Sequence, residues 1–367
     1  MIRRKFLKGA VATGAAAASA AASSFPAPAI AQGIKELKIV TSWPKNLPGP
    51  GISVERLAKR IEEATGGKLK PKVFAAGELV GGFEVLDAVS RGTADMGHGA
   101  AYYWQGKSKA FNFFTAVPMG LIGQEHIAWL ANGGGQKLYE ELCAQYNVIA
   151  YYGGHTDAQM GGWFRKEIKS LDDVKGLKYR IPGLGGEVMK RLGATVVNLP
   201  GGEVFAALQS GAIDGSEWVG PFADTPLGFY KVAKYYYYPG FHEPSTGLET
   251  CFNLDVWKGF SKEQQHVLRA LVESEGLALQ SDYIAYNGPA LENLVDKHKV
   301  ELRRFSDDLL KEFGRVSGEV VAEVGNSDPF TKKVYDSFMD FRKKSIEATK
   351  LSTHAYLNAR ALPYKYG

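Results

Sequence analysis

The residue best placed for chemistry in this 367-residue chain is an arginine at the end of a short predicted strand. Arg180 follows the strand residues Leu177–Tyr179 and precedes Ile181–Gly183. In α/β proteins the strand ends border the crevice in which ligands bind, and a guanidinium matches a carboxylate through two parallel hydrogen bonds. The pattern therefore favours an anion-binding role for Arg180, with an arginine on a surface turn as the alternative.

Further polar groups stand at a predicted strand end and in a loop. Glu217 and Trp218 follow Asp214–Ser216 and would supply a carboxylate and an indole side by side. Gln159 lies in the stretch 156–162, which changes from polar residues to glycine. Loops carry function more often than regular elements do, but each of these residues is a weak indication by itself.

The chain lacks the common catalytic signatures. It has no Gly-x-Ser-x-Gly sequence, and its glycine-rich phrases at 133–135 and 183–186 give neither a Walker sequence nor a full dinucleotide fingerprint. The histidines show no His-Glu-x-x-His spacing, and two cysteines exclude a cysteine-rich metal site. The apolar neighbours of Cys143 and Cys251 favour buried thiols, with a disulfide as the alternative. The sequence therefore predicts a protein that is not an enzyme.

The positive charge of the chain is concentrated at its N-terminus. The formal net charge is +5, but Arg3–Lys8 carries four basic residues and precedes an uncharged run of small residues that leads to Ala29–Ala31. This order predicts an export signal over residues 1–31, and the paired arginines resemble the twin-arginine class. Without that segment 40 basic and 39 acidic residues are left. The sequence therefore predicts a periplasmic protein and no nucleic-acid partner.

Short apolar runs alternate with amphipathic segments along the rest of the chain, which is typical of α/β domains with largely parallel sheets. The predicted strands cover 35–41, 70–75, 148–152, 162–165, 178–181 and 246–253, and the predicted helices cover 53–65 and 83–90. From Lys262 the pattern is helical for about 90 residues, with predicted breaks at Gly288-Pro289 and Asp328-Pro329. Tyr235–Tyr238 predicts a strand with alternate faces buried, and the aromatic residues at 102–104 and 151–152 are expected in loops.

Length and an internal similarity indicate two domains. A chain of 367 residues that is 45% hydrophobic and 23% charged is long enough for two folded units. Residues 84–95 align without gaps on residues 203–214, and both segments predict a helix, a glycine that ends it (Gly92 and Gly211), and a short strand. The alignment favours two similar α/β lobes, with chance similarity of a common phrase as the alternative.

Longer phrases of the chain resemble one family of transport proteins. The phrases 161–166, 170–183 and 203–215, the last followed by Glu217 and Trp218, are similar to those of the solute-binding proteins of tripartite ATP-independent periplasmic (TRAP) transporters. The resemblance extends over essentially the whole chain, leader included. It is strongest to the branch that binds 2-oxo acids such as pyruvate together with a sodium ion.

The resemblance implies an α/β fold with two hinge-connected lobes, like that of periplasmic binding proteins, and a long C-terminal helical region. The first lobe would contain residues 33–155 plus about 248–285, and the second about 156–247 plus about 286–330. A helix would follow over about 330–356. Some members of the branch exchange such a helix between subunits, so a homodimer is a candidate state here.

The resemblance also assigns residues to a ligand site. It implies substrate contacts from Gln159, Arg180, Trp218, Glu243 and Tyr103. Arg180 would clamp the substrate carboxylate, while Gln159, Glu217 and the backbone oxygen of Trp218 would hold the cation. Such oxygens suit a cation of low charge, which a 2-oxo acid chelates through its carboxylate and adjacent carbonyl. Sodium is implied by the resemblance, and calcium is the alternative.

Several alternatives stay open at this stage. The ligand could be another organic acid, such as a hydroxy acid or an aromatic carboxylate. The receptor would hand its ligand to membrane-embedded TRAP permease subunits, or it would present the ligand to a periplasmic sensor. A redox enzyme exported by the twin-arginine route is a further alternative, and the absence of a cofactor-binding motif argues against it.

Overall fold

The computed structural model describes residues 35–366, and the predicted export signal lies outside the described residues. The described chain forms two β-sheets covered by helices. The first sheet has the order β2-β1-β3-β10-β4. Its strands are β1 (Lys35–Thr41), β2 (Leu69–Phe74), β3 (Met96–Gly99), β4 (Val148–His155) and β10 (Gly247–Asn253).

The second sheet has the order β11-β9-β5-β8-β6-β7. Its strands are β5 (Gly162–Phe164), β6 (Lys178–Arg180), β7 (Thr195–Val197), β8 (Gly215–Ser216), β9 (Tyr235–Tyr238) and β11 (Glu301–Arg304). The fold is therefore two-lobed, with one sheet at the centre of each lobe, and the exact lobe boundaries stay a prediction.

The prediction of largely parallel sheets is wrong. Strand β10 is antiparallel to both of its neighbours, β3 and β4, and β5 is antiparallel to both β8 and β9. The reason is that the chain passes from one sheet to the other twice by a short extended segment, after β4 and before β10. A strand that enters a sheet in this way lacks the helical crossover that parallel neighbours require.

Helices cover both sheets. They are α1 (Pro50–Ala64), α2 (Val85–Ser90), α3 (Gly123–Asn132), α4 (Gly135–Ala144), α5 (Gly183–Arg191), α6 (Gly201–Ser210), α7 (Pro221–Asp224), α8 (Leu254–Lys258), α9 (Lys262–Asp296), α10 (Asp307–Gly325), α11 (Pro329–Thr349) and α12 (Ala355–Arg360). In the part of the chain that the structure describes, no helix is both long and apolar enough to cross a bilayer.

The predicted helix break at Gly288-Pro289 is wrong, because α9 continues through Pro289 to Asp296. Both residues are exposed. Water can therefore donate to the backbone carbonyl that the proline leaves without a hydrogen bond. The break at Asp328-Pro329 is confirmed. Pro329 stands in the first turn of α11, where its missing N–H is not needed, and the Asp328 carboxylate caps that helix.

The aromatic clusters differ from their predictions. Residues 102–104 belong to a 3-10 helix, Ala101–Trp104, and not to a loop. Residues 151–152 lie inside β4, which agrees with the strand predicted over 148–152 and not with the loop expected for these two aromatic residues. In β9 the middle residues Tyr236 and Tyr237 are buried, instead of alternate ones. Both faces of this strand are covered, because it lies between β11 and β5.

The internal similarity corresponds to the same structural unit in each lobe. Gly92 and Gly211 both have positive φ, 75° and 77°, and follow α2 and α6. The Asp95 carboxylate accepts a hydrogen bond from the Lys38 backbone N–H at 2.7 Å. The Asp214 carboxylate accepts one from the Lys178 backbone N–H at 3.0 Å. These equivalent positions and contacts support the interpretation of two similar lobes.

Two short segments that join the lobes run side by side. Residues 156–161 leave the first sheet, and residues 239–246 return to it. The Thr156 N–H donates to the Thr246 carbonyl at 3.2 Å, and the Gly240 N–H donates to the Gln159 carbonyl at 2.9 Å. The helix α9 is a third connection, which packs on α1 and β4 of the first lobe and on α7 of the second.

The thiols and the C-terminal helix belong to the first lobe. Cys143 and Cys251 are buried and free. Phe338 of α11 packs against Phe113 and Trp129 with ring centroids 5.5 Å and 5.2 Å apart. Beyond α11 the chain is exposed, with Leu351 at 83% relative exposure.

Candidate functional site

Arg180 is the last residue of β6 and is only 1% exposed. Its Nε donates to the Leu199 carbonyl at 3.0 Å, and its Nη1 donates to the Glu217 carboxylate. The guanidinium also lies over the Trp218 ring, 5.2 Å from its centroid. Its Nη2 has no hydrogen-bond partner in residues 35–366. A buried cationic donor is therefore available to a ligand.

Sheet pairing places Glu217 and Trp218 beside Arg180. Strands β6 and β8 are parallel neighbours, with Arg180 opposite Ser216, and the Glu217 N–H donates to the Arg180 carbonyl at 3.1 Å. Glu217 is fully buried, and Trp218 is 5% exposed. Glu217 and Trp218 thus follow the end of β8, and the pairing of β8 with β6, which the sequence did not predict, brings them beside Arg180.

A small hydrogen-bond network fixes the orientation of Gln159. The Thr246 hydroxyl donates to the Glu243 carboxylate, and the Thr156 hydroxyl donates to the Asp157 carbonyl at 3.1 Å. Both hydroxyls therefore accept from the Gln159 amide nitrogen, at 2.5 Å and 3.1 Å. The Gln159 Oε1 is buried and accepts no hydrogen bond from the described part of the chain.

Behind this network lies a buried group of carboxylates and imidazole. Potential ligand atoms of Glu217, His242 and Glu243 all lie within 4.8 Å of one another. Burial raises the pKa of Glu217 to about 7, although the Arg180 charge opposes the shift. Burial, together with the Glu217 charge, also raises the pKa of Glu243 to about 7. Burial lowers the pKa of His242 to about 4, so its ring is neutral at pH 7.

Four of the predicted residues line one cavity of about 20 Å³ between the lobes, whereas Glu217 and Glu243 lie outside its lining. Gln159, Arg180 and Trp218 line it from the second lobe and its connecting segment. Aromatic residues close it, namely Trp43, Tyr102, Tyr103 and Tyr283. A larger groove of about 360 Å³ lies elsewhere, between α3 and α9. The chemistry is concentrated in the smaller cavity, because its buried arginine and amide have free hydrogen-bonding atoms.

Sequence reasoning missed several residues of this region. Thr156 and Thr246 orient Gln159, and His242 joins the carboxylates. His242 and Thr246 could have been found from the polar run 242–246, in which the sequence analysis names only Glu243. Tyr102 lines the cavity as Tyr103 does, and no signal in the sequence distinguishes the two rings.

The donor set fits a hard cation. Gln159 Oε1, the Glu217 carboxylate and the Trp218 carbonyl are oxygen ligands of the kind that sodium and calcium prefer. The Gln159 oxygen is the strongest indication, since a buried acceptor without a partner is costly to leave unsatisfied. The chemistry that a cation would supply here is positive charge, which would hold a chelating anion.

Two hinged lobes around a buried arginine and a set of oxygen donors define a periplasmic-type receptor for a small organic acid. Residues 40–328 match the family described as bacterial extracellular solute-binding protein, family 7. The chain belongs to this family, and the resemblance to TRAP solute-binding proteins is confirmed. Members of the family are transport receptors, so the protein is not an enzyme.

Relatives with assigned ligands are similar over nearly the whole chain. A monocarboxylate 2-oxoacid-binding periplasmic protein of Nostoc sp. is 45% identical over 321 residues, which is 88% of each chain. A TRAP solute-binding protein of Bordetella bronchiseptica, a dimer with calcium and picolinate, has a TM-score of 0.87 at 33% identity and covers 89% of this chain and 97% of its own. One of Pseudoalteromonas atlantica, with sodium and pyruvate, has a TM-score of 0.86 at 34% identity, covering 90% and 100%.

Proposed function

We propose that the protein captures a short 2-oxo acid, with pyruvate as the reference ligand, together with one sodium or calcium ion. After twin-arginine export directed by residues 1–31, it delivers this ligand from the periplasm to TRAP permease subunits. The observation that carries the proposal is the pair of buried, unpartnered atoms in one cavity: Arg180 Nη2, a donor, and Gln159 Oε1, an acceptor, within residues 35–366.

The two atoms match the two ends of a cation-bound 2-oxo acid. One carboxylate oxygen would accept from Arg180 Nη2, a charge-assisted bond that keeps the buried guanidinium satisfied. The other carboxylate oxygen and the 2-oxo group would chelate a cation. Gln159 Oε1, the Glu217 carboxylate and the Trp218 carbonyl would complete its ligands, since hard cations bind several oxygens at once.

The aromatic enclosure supports a short ligand. Tyr103 and Trp218 line the cavity of about 20 Å³ from opposite lobes. The lobes would have to open to admit any organic acid, and a longer acid would displace more of the rings. The relative that binds pyruvate agrees with this size. The picolinate-bound relative favours an aromatic carboxylate as the second candidate, which would stack on the same rings.

A homodimer is proposed through the C-terminal segment of about 330–356. The exposed apolar side chains of this region, Leu351, Tyr356 and Leu357, are 83%, 64% and 43% exposed. One relative is a dimer. The lobe boundaries given by the resemblance, at about residues 156, 248 and 286, are part of the same proposal.

The proposal is tested by calorimetric titration of pyruvate into ligand-stripped protein. We expect Arg180→Lys to raise the Kd by about tenfold to a hundredfold, because lysine keeps the charge but loses the paired donors. Arg91→Lys on the exposed surface is the matched control. Full affinity in Arg180→Lys and in Arg180→Ala would exclude the carboxylate clamp. Unchanged binding without sodium and calcium would exclude the cation.

A further inference from the structure

The second buried carboxylate beside the proposed cation ligands is Glu243, to which the resemblance assigns a substrate contact but no part in holding the cation. Glu243 is 3% exposed, and its carboxylate lies within 4.8 Å of the nearest ligand atoms of Glu217 and His242. Its carboxylate accepts a hydrogen bond from the Thr246 hydroxyl, and the same hydroxyl accepts from the Gln159 amide nitrogen. Glu243 therefore contributes a negative charge to the site through the same network that orients a cation ligand.

A second observation, the unpartnered side-chain oxygen of Gln159, indicates where a cation would bind. Gln159 is 5% exposed, and its Oε1 is turned away from Thr156 and Thr246, which take both amide hydrogens. In the region that the structure describes, that oxygen accepts no hydrogen bond. The two threonine acceptors are therefore on the nitrogen side of the amide, and the free oxygen belongs to a residue that lines the cavity.

The formal charges of the site indicate which cation charge Glu243 favours. Arg180 carries one positive charge, Glu217 and Glu243 carry one negative charge each when ionised, and the ligand adds a third. The neutral His242 ring adds nothing to the balance. Two negative charges are then left over in a buried site, where an uncompensated charge is strongly unfavourable. A divalent cation balances them, whereas sodium leaves one uncompensated.

We propose that Glu243 determines the charge of the cation that is bound with the ligand, so that its carboxylate makes the site prefer calcium to sodium. The inference rests on the proposed function, because it assumes that a cation is bound beside Gln159 and Glu217. Calcium gains one more unit-charge attraction to Glu243 than sodium does. At separations of a few ångströms in a partly buried site, that difference corresponds to about a hundredfold or more in relative affinity.

The experiment is a calorimetric titration of calcium chloride, and separately of sodium chloride, into protein with saturating pyruvate. The buffer is sodium-free and at about pH 8, well above the usual titration range of carboxyl groups. We expect the wild type to bind calcium more tightly than sodium. In Glu243→Gln both cations should bind more weakly, and the Kd for calcium should rise by about a hundredfold more than the Kd for sodium, because calcium carries twice the charge. Glu203→Gln, an exposed change on α6, is the matched control.

Glu243→Asp keeps the charge and should keep the preference for calcium, which separates charge from shape. Circular dichroism shows whether each variant is folded. If Glu243→Gln does not fold, the wild type alone still tests the preference for calcium. It is given an equimolar mixture of the two cations, and elemental mass spectrometry measures the ratio that is bound. Equal weakening of both cations in Glu243→Gln, or a wild type that prefers sodium, would overturn the inference alone. Pyruvate binding that is independent of both cations would instead overturn the cation part of the proposed function.

Discussion

Asp224 is a buried residue outside the cavity lining that holds the segment directly after Trp218 in place. Its Oδ2 accepts from Trp163 Nε1 and from the Tyr236 hydroxyl, both at 2.8 Å. Its Oδ1 accepts from the backbone N–H groups of Val219 and Gly220, at 3.1 Å and 2.9 Å. One carboxylate thus satisfies four buried donors and fixes the backbone immediately after Trp218.

The change Asp224→Asn replaces one of these oxygens by an NH₂ group. Whichever way the amide turns, two donors then face another donor. Each buried donor without an acceptor costs about 1–3 kcal/mol, so the loss is about 2–6 kcal/mol. Removing a buried carboxylate charge offsets part of it, and we expect a net loss of about 2–4 kcal/mol of unfolding free energy. Because the loop also carries Trp218, the Kd for pyruvate should rise by about tenfold.

Thermal unfolding followed by circular dichroism measures the first effect, with a drop in Tm on the order of 5–10 °C. Titration calorimetry measures the second. Asp336→Asn is the control, since this exposed carboxylate pairs only with Lys332 across one helical turn, and such a pair contributes about 0.3–0.5 kcal/mol. If Asp224→Asn melts and binds like Asp336→Asn, the four hydrogen bonds do not position the site.

Two more predictions concern pH and packing. Burial, opposed by its hydrogen bonds, raises the pKa of Asp224 from 3.8 to about 7. Between these values the folded protein binds the proton more tightly than the unfolded chain, so this group's contribution to stability is lost as the pH rises through 7. Thermal melts between about pH 5 and 8 should therefore show a steeper loss with rising pH in the wild type than in Asp224→Asn, and parallel profiles would contradict the assignment. A Cβ on Gly201 would lie 2.2 Å from the Trp218 ring, whereas one on Gly202 would lie 3.9 Å from its nearest neighbour, Pro44. We expect Gly201→Ala to lose about 1–3 kcal/mol of stability and to weaken pyruvate binding, while Gly202→Ala, the matched control, stays within about 1 kcal/mol of the wild type. If Gly201→Ala and Gly202→Ala changed Tm and Kd by equal amounts, contact with the Trp218 ring would not be what excludes a side chain at Gly201.

The parts of the fold that local pattern decides were predictable. Each strand predicted for the sheets is present, because short apolar runs between turn signals specify strands locally. Strand direction was not predictable, since it depends on the two crossings between the lobes and not on any single run. The continuation of α9 through Pro289 was missed because exposure, which makes the proline tolerable, is a tertiary property.

The site likewise contains residues that the local sequence indicates and residues that only the fold brings together. Arg180 could be selected from the sequence because a strand end in an α/β protein is a ligand position. Its partner Glu217 is 37 residues away and is brought close by the pairing of β6 with β8, which nothing local specifies. The roles of Thr246 and His242 depend on two extended segments that meet only in the folded chain.

The helix α9 has a mechanical consequence. Glu275, near its middle, is held by Ser53 and Arg56 of α1 at 2.9 Å and 2.7 Å, and by Arg60 at 3.0 Å. From this anchor to Asp296 the helix extends about 30 Å, at 1.5 Å per residue. A rotation of about 10° at the anchor would move the far end by about 5 Å, so α9 acts as a lever arm. Small rearrangements where α9 contacts α1 would thereby become displacements as large as a side chain at the second lobe.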